Sequence, residues 1–135
     1  MYLEVEILKK LVHPNIMQIF EFFEDKKNFQ IITELCDGGE LFDMIVEKGN
    51  FNEDEASWVM KQLVSAVNYI HTNNICHRDI KPDNIMINEE EKKIKIIDFG
   101  ISKKMIVRKQ KIDMLTITGT LFYRAPEMFI GGGYN

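Results

Sequence analysis

The sequence predicts an α+β fold divided into two lobes. Two β-prone runs flank a charged turn, a long amphipathic stretch opens on a capping signal, and Gly38-Gly39 separates the two patterns. From Tyr2 to Leu11, the apolar residues Leu3, Ile7, Leu8 and Leu11 recur at helical spacing. Pro14 ends that helix, because a proline pushes its predecessor out of the α region. Ile16 to Phe23 and Phe29 to Leu35 then read as an antiparallel hairpin about Asp25-Lys26-Lys27-Asn28. After Asp37-Gly38-Gly39 a short helix is expected from Glu40 to Glu47. The strongest helical segment runs from Glu53 to Thr72. Asn52 caps it with Glu55 as capping-box partner, and Ala56, Val59, Leu63, Ala66, Val67 and Ile70 form one apolar stripe. Two short strands, Ile85 to Ile87 and Ile94 to Ile97, follow around the acidic turn Asn88 to Glu91. Weak periodicity from Ile101 to Gly119 predicts a long exposed loop.

The composition narrows the function classes. Of the 135 residues, 45% are hydrophobic and 28% charged, the balance of a globular chain rather than a disordered or fibrous one. A net charge of −4 supplies no global positive field to draw the chain to nucleic acid. The apolar runs are too short to cross a bilayer, and the acids in MYLEVEILKK interrupt any signal-peptide core. Cys36 and Cys76 form no CxxC pair, so neither a disulfide nor a zinc pattern is present. A reducing setting is expected, in the cytoplasm or the nucleus, with no nucleic-acid or membrane partner.

Three constellations carry chemistry: His77-Arg78-Asp79 with Asn84 five residues after the Asp, then Asp98-Phe99-Gly100, then Ala125-Pro126-Glu127. The first two place Asp79, Asn84 and Asp98 in loops beside short strands, where side chains can converge. The Asn84 amide and the Asp98 carboxylate suit Mg²⁺, which binds few protein oxygens and keeps water or phosphate for the rest. Asp79 is then free to accept a proton from an attacking hydroxyl. Singly, each acid reads as a turn cap or a surface charge. Jointly, with this spacing, they make a phosphoryl-transfer layout.

On these motifs the chain resembles a eukaryotic Ser/Thr protein kinase domain, along essentially its whole length. The resemblance implies ATP and Mg²⁺ as cofactors and Ser/Thr hydroxyls of proteins as acceptors. Asp79 in HRDIKPDN matches the catalytic base, Lys81 the lysine that steadies the transferring phosphate, and Asn84 and Asp98 the metal-binding pair. Glu4 matches the helix-C glutamate that pairs with an ATP-anchoring lysine. Thr33 falls at the gatekeeper. The backbone at Glu34 and Cys36 would hold the adenine, with Met86 under the ring and Glu40 reaching the ribose. Leu8, Ile19, His77 and Phe99 match residues stacked between the lobes. Thr116 matches the activating phosphosite of an upstream kinase, with Arg78 as its partner, and Thr120 would contact Asp79 and Lys81. The stretch HPNIMQIFEFFEDKKNFQIITELCDGGELFD is most similar to calcium-dependent and calmodulin-dependent kinases, which suggests a calcium-sensing module as partner. Arg124 is less typical there and is closer to proline-directed kinases.

The implied organisation is residues 1–36 as an N-lobe remnant and 37–135 as the start of the C-lobe. No GxGxxG loop or Val-Ala-Ile-Lys strand precedes Glu4, and the sequence stops after Tyr134-Asn135. The expectation is therefore the middle of a kinase domain, weakly folded and nearly inactive by itself. The alternative reading is a non-catalytic kinase-like chain that acts by binding proteins. His77 is expected as a packed structural residue and both cysteines as buried thiols. Lys103, Lys104, Arg108, Lys109 and Lys111 are expected as a solvated face.

Overall fold

Asn52 opens the longest helix with a reciprocal capping box, as its sequence demands. Its side chain accepts from Glu55 N, and the Glu55 carboxylate accepts from Asn52 N, both at 2.9 Å. The computed structural model describes residues 8–25, 28–99 and 119–129, together with the backbone of three two-residue strands between 103 and 112. The elements are strands β1 (Ile19–Glu24), β2 (Phe29–Thr33) and β3 (Gly39–Glu40), helices α1 (Leu41–Lys48) and α2 (Glu53–Thr72), then β4 (Ile75–Cys76), β5 (Ile85–Asn88), β6 (Lys93–Ile96), β7 (Lys103–Lys104), β8 (Val107–Arg108) and β9 (Lys111–Ile112). Short 3₁₀ turns cover Pro82–Asn84, Leu121–Tyr123 and Pro126–Phe129. The predicted α+β character holds.

β1 and β2 pair antiparallel, as expected, but the first strand begins later than its apolar run. Ile16 bridges Ile96 in parallel instead, with Met17 N donating to Ile96 O and Ile96 N to Asn15 O, both at 2.9 Å. One apolar run thus serves two partners, which periodicity alone cannot divide. β3, β5 and β6 form a second sheet, in which Glu40 lies opposite Met86, and Met86 opposite Lys95. That pairing draws Glu40 into β3 and starts α1 one residue later, at Leu41. Of the first predicted helix, residues 8–11 fall within the described residues. Leu8 is helical, but Lys9 and Lys10 form a turn closed by Leu11 N donating to Leu8 O at 3.1 Å, so the helix ends before the expected Leu11.

The expected loop from 101 to 119 is corrected in part. β7 pairs with β4, and β8 with β9. Two-residue strands bury no continuous face, so no period marks them in sequence. Among the described residues, two clusters form the core. Leu8, Leu11, Ile16, Ile19, Ala66, Ile70, Ile75, Ile96 and Phe99 join the hairpin region to α2. Leu41, Val59, Ile85, Ile87 and Ile94 sit between the two helices and the β5–β6 hairpin. Val59, Ala66 and Ile70 are the fully buried members of the α2 stripe. Burial alternates along β5 and β6, so Met86 and Lys95 share the face away from this core.

Candidate active site

Asp79 lies in the loop between β4 and β5, and three residues, Lys81, Asn84 and Thr120, meet its carboxylate. Its Oδ1 accepts from Thr120 N at 2.7 Å and from Thr120 Oγ1 at 2.8 Å. Its Oδ2 accepts from Asn84 Nδ2 at 3.0 Å and stands 3.7 Å from Lys81 Nζ. Burial alone would raise this carboxyl, but the Thr120 and Asn84 hydrogen bonds and the Lys81 charge outweigh it and lower its pKa. Asp79 is therefore ionised at neutral pH.

Asn84 is 7% exposed and closes the Pro82–Asn84 turn. Its amide nitrogen gives its hydrogens to Asp79, to the backbone O at 2.8 Å and to Oδ2. That leaves the amide oxygen as the group offered elsewhere. Asn84 O accepts from Ile97 N at 3.0 Å, which fixes the start of β5 beside the exposed Asp98. An amide oxygen and a carboxylate form a hard, oxygen-only donor pair, which fits Mg²⁺. Asp98 (φ 55°) and Arg78 (φ 71°) both adopt the left-handed region, and such departures concentrate at functional positions.

His77 is 3% exposed and packs edge-on against Phe99, with ring centroids 4.7 Å apart. Its Nδ1 accepts from Asp79 N at 3.3 Å, so Nε2 carries the hydrogen donated to Ile97 O at 3.0 Å. Burial lowers its pKa against the opposing pull of Ile97 O, Asp98 and Asp79. It is a neutral spacer between the two acidic loops, as a packed structural histidine should be. Of the four residues expected between the lobes, Leu8, Ile19 and Phe99 belong to one buried cluster, and His77 packs on Phe99.

The segment Glu34-Leu35-Cys36-Asp37 and the β5–β6 hairpin enclose a cavity of about 220 Å³, which Met86 and Lys95 also line. Thr33 ends β2, and its hydroxyl donates to Glu34 O at 3.1 Å. Glu40 is exposed on β3 opposite Met86. Cys36 and Cys76 are half-buried rather than buried; burial leads in pushing both thiols up, so both stay protonated. Glu4 and Thr116 lie outside the described residues, as does the basic face of 103–111 at the side-chain level. Thr120 meets Asp79 as expected.

Two contributors carry no sequence signal of their own role. Arg124 Nε and Nη2 both donate to Gly119 O, at 3.0 and 2.7 Å. Gly119 has φ 90°, and a Cβ there would collide with Arg78 O. Lys95 Nζ reaches Glu34 Oε1 at 2.7 Å. The alternation of Lys93-Ile94-Lys95-Ile96 is the signal that places Lys95 opposite the core.

The protein kinase domain family matches residues 1–135. Calcium-dependent protein kinase 3 of Plasmodium yoelii yoelii is 46% identical over 130 residues, covering 95% of this chain and 24% of that protein. Calcium-dependent protein kinase 5 of Plasmodium falciparum (isolate 3D7) is 45% identical over 130 residues, 95% of this chain and 22% of that protein. Calcium-dependent protein kinase 4 of Plasmodium berghei (strain Anka) is 44% identical over 131 residues, 95% and 24% respectively. The chain thus spans about a quarter of the length of these relatives. With the family matched from end to end and the loop geometry around Asp79 and Asn84 in place, the chain belongs to the protein kinase domain family.

Proposed function

We propose that the protein transfers the γ-phosphoryl group of ATP to Ser or Thr hydroxyls of protein substrates. The observation that carries this reading is the ionised Asp79 carboxylate, oriented by Thr120 and Asn84 with Lys81 beside it. Phosphoryl transfer passes through a loose transition state, so the enzyme's work is mostly positioning and charge stabilisation. A carboxylate of lowered pKa is a weak base but a good acceptor. It aligns the acceptor hydroxyl early and takes its proton as the new P–O bond forms. The Lys81 ammonium steadies the charge on the transferring group. Asn84 and Asp98 would hold Mg²⁺, which supplies neutralisation of the phosphate oxygens when bound. Thr120 bonded to Asp79 favours a short Ser or Thr acceptor. The backbone of Glu34 and Cys36, over Met86, would receive the adenine; Glu34 O keeps a second lone pair beyond the one Thr33 uses.

Similarity to kinases named calcium-dependent supports calcium control in the protein as a whole, and Thr116 as a site for an activating kinase. The test is the full-length protein with labelled ATP, Mg²⁺ and a peptide library, with and without calcium, followed by phosphoamino-acid analysis. Phosphoserine or phosphothreonine is expected, lost by about 10²-fold or more in Asp79→Asn. No transfer by the wild type, or full transfer by the variant, overturns the reading.

A further inference from the structure

The Lys95–Glu34 pair ties the 34–37 segment to β6, beside the β3–β5 pairing that begins at Gly39 and the Ile16–Ile96 bridge. Leu35 is 84% exposed and adds no packing between the 34–37 segment and the β5–β6 hairpin. The cavity between them is lined by Lys93, Lys95, Glu34 and Glu91 rather than by apolar side chains alone. Across it Lys95 Nζ bonds Glu34 Oε1 at 2.7 Å, with side chains only 15% and 23% exposed. The same Glu34 oxygen accepts from Gln18 N at 2.6 Å, and Glu34 N donates to Gln18 O at 2.9 Å. Glu34 is thus pinned on one side to the start of β1 and on the other to β6. Burial opposes the charge on Glu34, yet the Lys95 and Gln18 bonds lower its pKa. Lys95 stands opposite Met86 in the hairpin register, on the same face.

We infer that Lys95 is a positioning residue for the nucleotide: through Glu34 it sets the backbone of 34–36 at a fixed height over Met86. The inference rests on the proposal that this backbone receives the adenine. A planar base bound between a peptide edge and a side-chain floor tolerates little change in their separation, because hydrogen bonds weaken steeply off-line. Removing the ammonium also leaves a partly buried carboxylate with only Gln18 N, so the 34–36 segment shifts to hydrate it. Lys95 acts at a distance from the phosphates, so it governs adenosine and ATP alike.

The test measures Kd for ATP and for adenosine, by calorimetry without turnover, in the full-length protein and its Lys95→Met and Lys95→Arg variants. A weakening of roughly five- to tenfold is expected for both ligands in Lys95→Met, the scale of one ordinary hydrogen bond, because Lys95 acts on the ligand only through Glu34. Lys95→Arg recovers most of it, and KM for the peptide substrate does not move. Equal affinity in Lys95→Met overturns the inference and leaves the adenine reading intact. A loss for ATP with none for adenosine also overturns it, since Lys95 would then act on phosphate. A wild type that binds neither ligand overturns both. Should Lys95→Met fail to fold, Glu34→Gln removes the same charge pair with its shape kept and carries the same expectation for both ligands.

Discussion

Thr120 donates both its backbone N–H and its hydroxyl to a single oxygen of Asp79, at 2.7 and 2.8 Å. The two residues are 41 positions apart, so this contact ties the segment after the 101–118 stretch to the loop that carries the proposed base. Asp79 then has one oxygen committed to Thr120 and one shared between Asn84 and Lys81. Thr120→Val keeps the shape and the backbone donor but removes the hydroxyl. A hydrogen bond to a charged group contributes about 1.5–3 kcal/mol, so kcat/KM for phosphate transfer should fall roughly tenfold or more. The Asp79 pKa rises when the donor is lost, which moves the acid limb of the pH–rate profile upward. An unmoved limb in Thr120→Val would show that the hydroxyl does not act through Asp79.

Arg124 has a comparable role one step further out. Its two donors on Gly119 O hold the left-handed turn that aims Thr120 at Asp79. Arg124→Met should lower kcat roughly tenfold or more, part of what its two charged hydrogen bonds contribute to the turn. Arg124→Lys should recover little, because an ammonium cannot reproduce the two-pronged geometry. Gly119→Ala should be worse than either, since its Cβ meets Arg78 O and its φ of 90° is strained for any L side chain. Steady-state assays with a fixed peptide read all three; activity retained in Gly119→Ala would contradict the turn's role.

The parts legible in the sequence are those where one physical signal dominates. The α2 boundaries follow from the Asn52 capping box and a stripe at a clean helical period. The β5–β6 hairpin follows from alternation about a charged turn. Asn84 meets Asp79, and its backbone carbonyl binds Ile97 N next to Asp98, because two short strands start and end beside these residues. The rest depends on partners remote in sequence. Ile16 leaves its own apolar run to bridge Ile96, β7 pairs with only two residues of β4, and Arg124 caps a carbonyl five residues earlier by a bend that no period encodes. Lys95 reads as an ordinary outward lysine until Glu34 is placed across from it.

A polar joint inside the fold offers a stability prediction. Asn15, 6% exposed, donates to Gln62 Oε1 at 2.6 Å and to Ile94 O at 3.0 Å. Gln62 also accepts from Ile94 N and donates to Lys92 O. It thereby ties α2, β6 and the segment before β1 together. Gln62→Leu strands a buried amide, at about 1–3 kcal/mol, a sizeable share of a usual margin of about 5–15 kcal/mol. A lowered denaturation midpoint is expected. Adding Asn15→Leu should cost less than the sum of the single changes, because both partners are then apolar; strict additivity would deny the coupling.

His77 gives the fold an acid sensitivity whose sign is set by burial. Its folded-state pKa lies below the unfolded value of about 6.5, because burial outweighs the pull of Ile97 O, Asp98 and Asp79. The unfolded chain therefore binds the proton first, and the stabilisation present above about pH 6.5 is lost as pH falls below it, down to the folded value. His13 moves in the same direction, through burial and the nearby Lys95 charge. The denaturation midpoint should be flat around neutral pH and decline on acidification below about pH 6.5. His77→Phe keeps the aromatic contact with Phe99 but gives up the bonds to Ile97 O and Asp79 N. Its midpoint should start lower at neutral pH and decline less steeply, with His13 supplying what slope remains. A variant with the full wild-type slope would show that His77 is not held neutral by its surroundings.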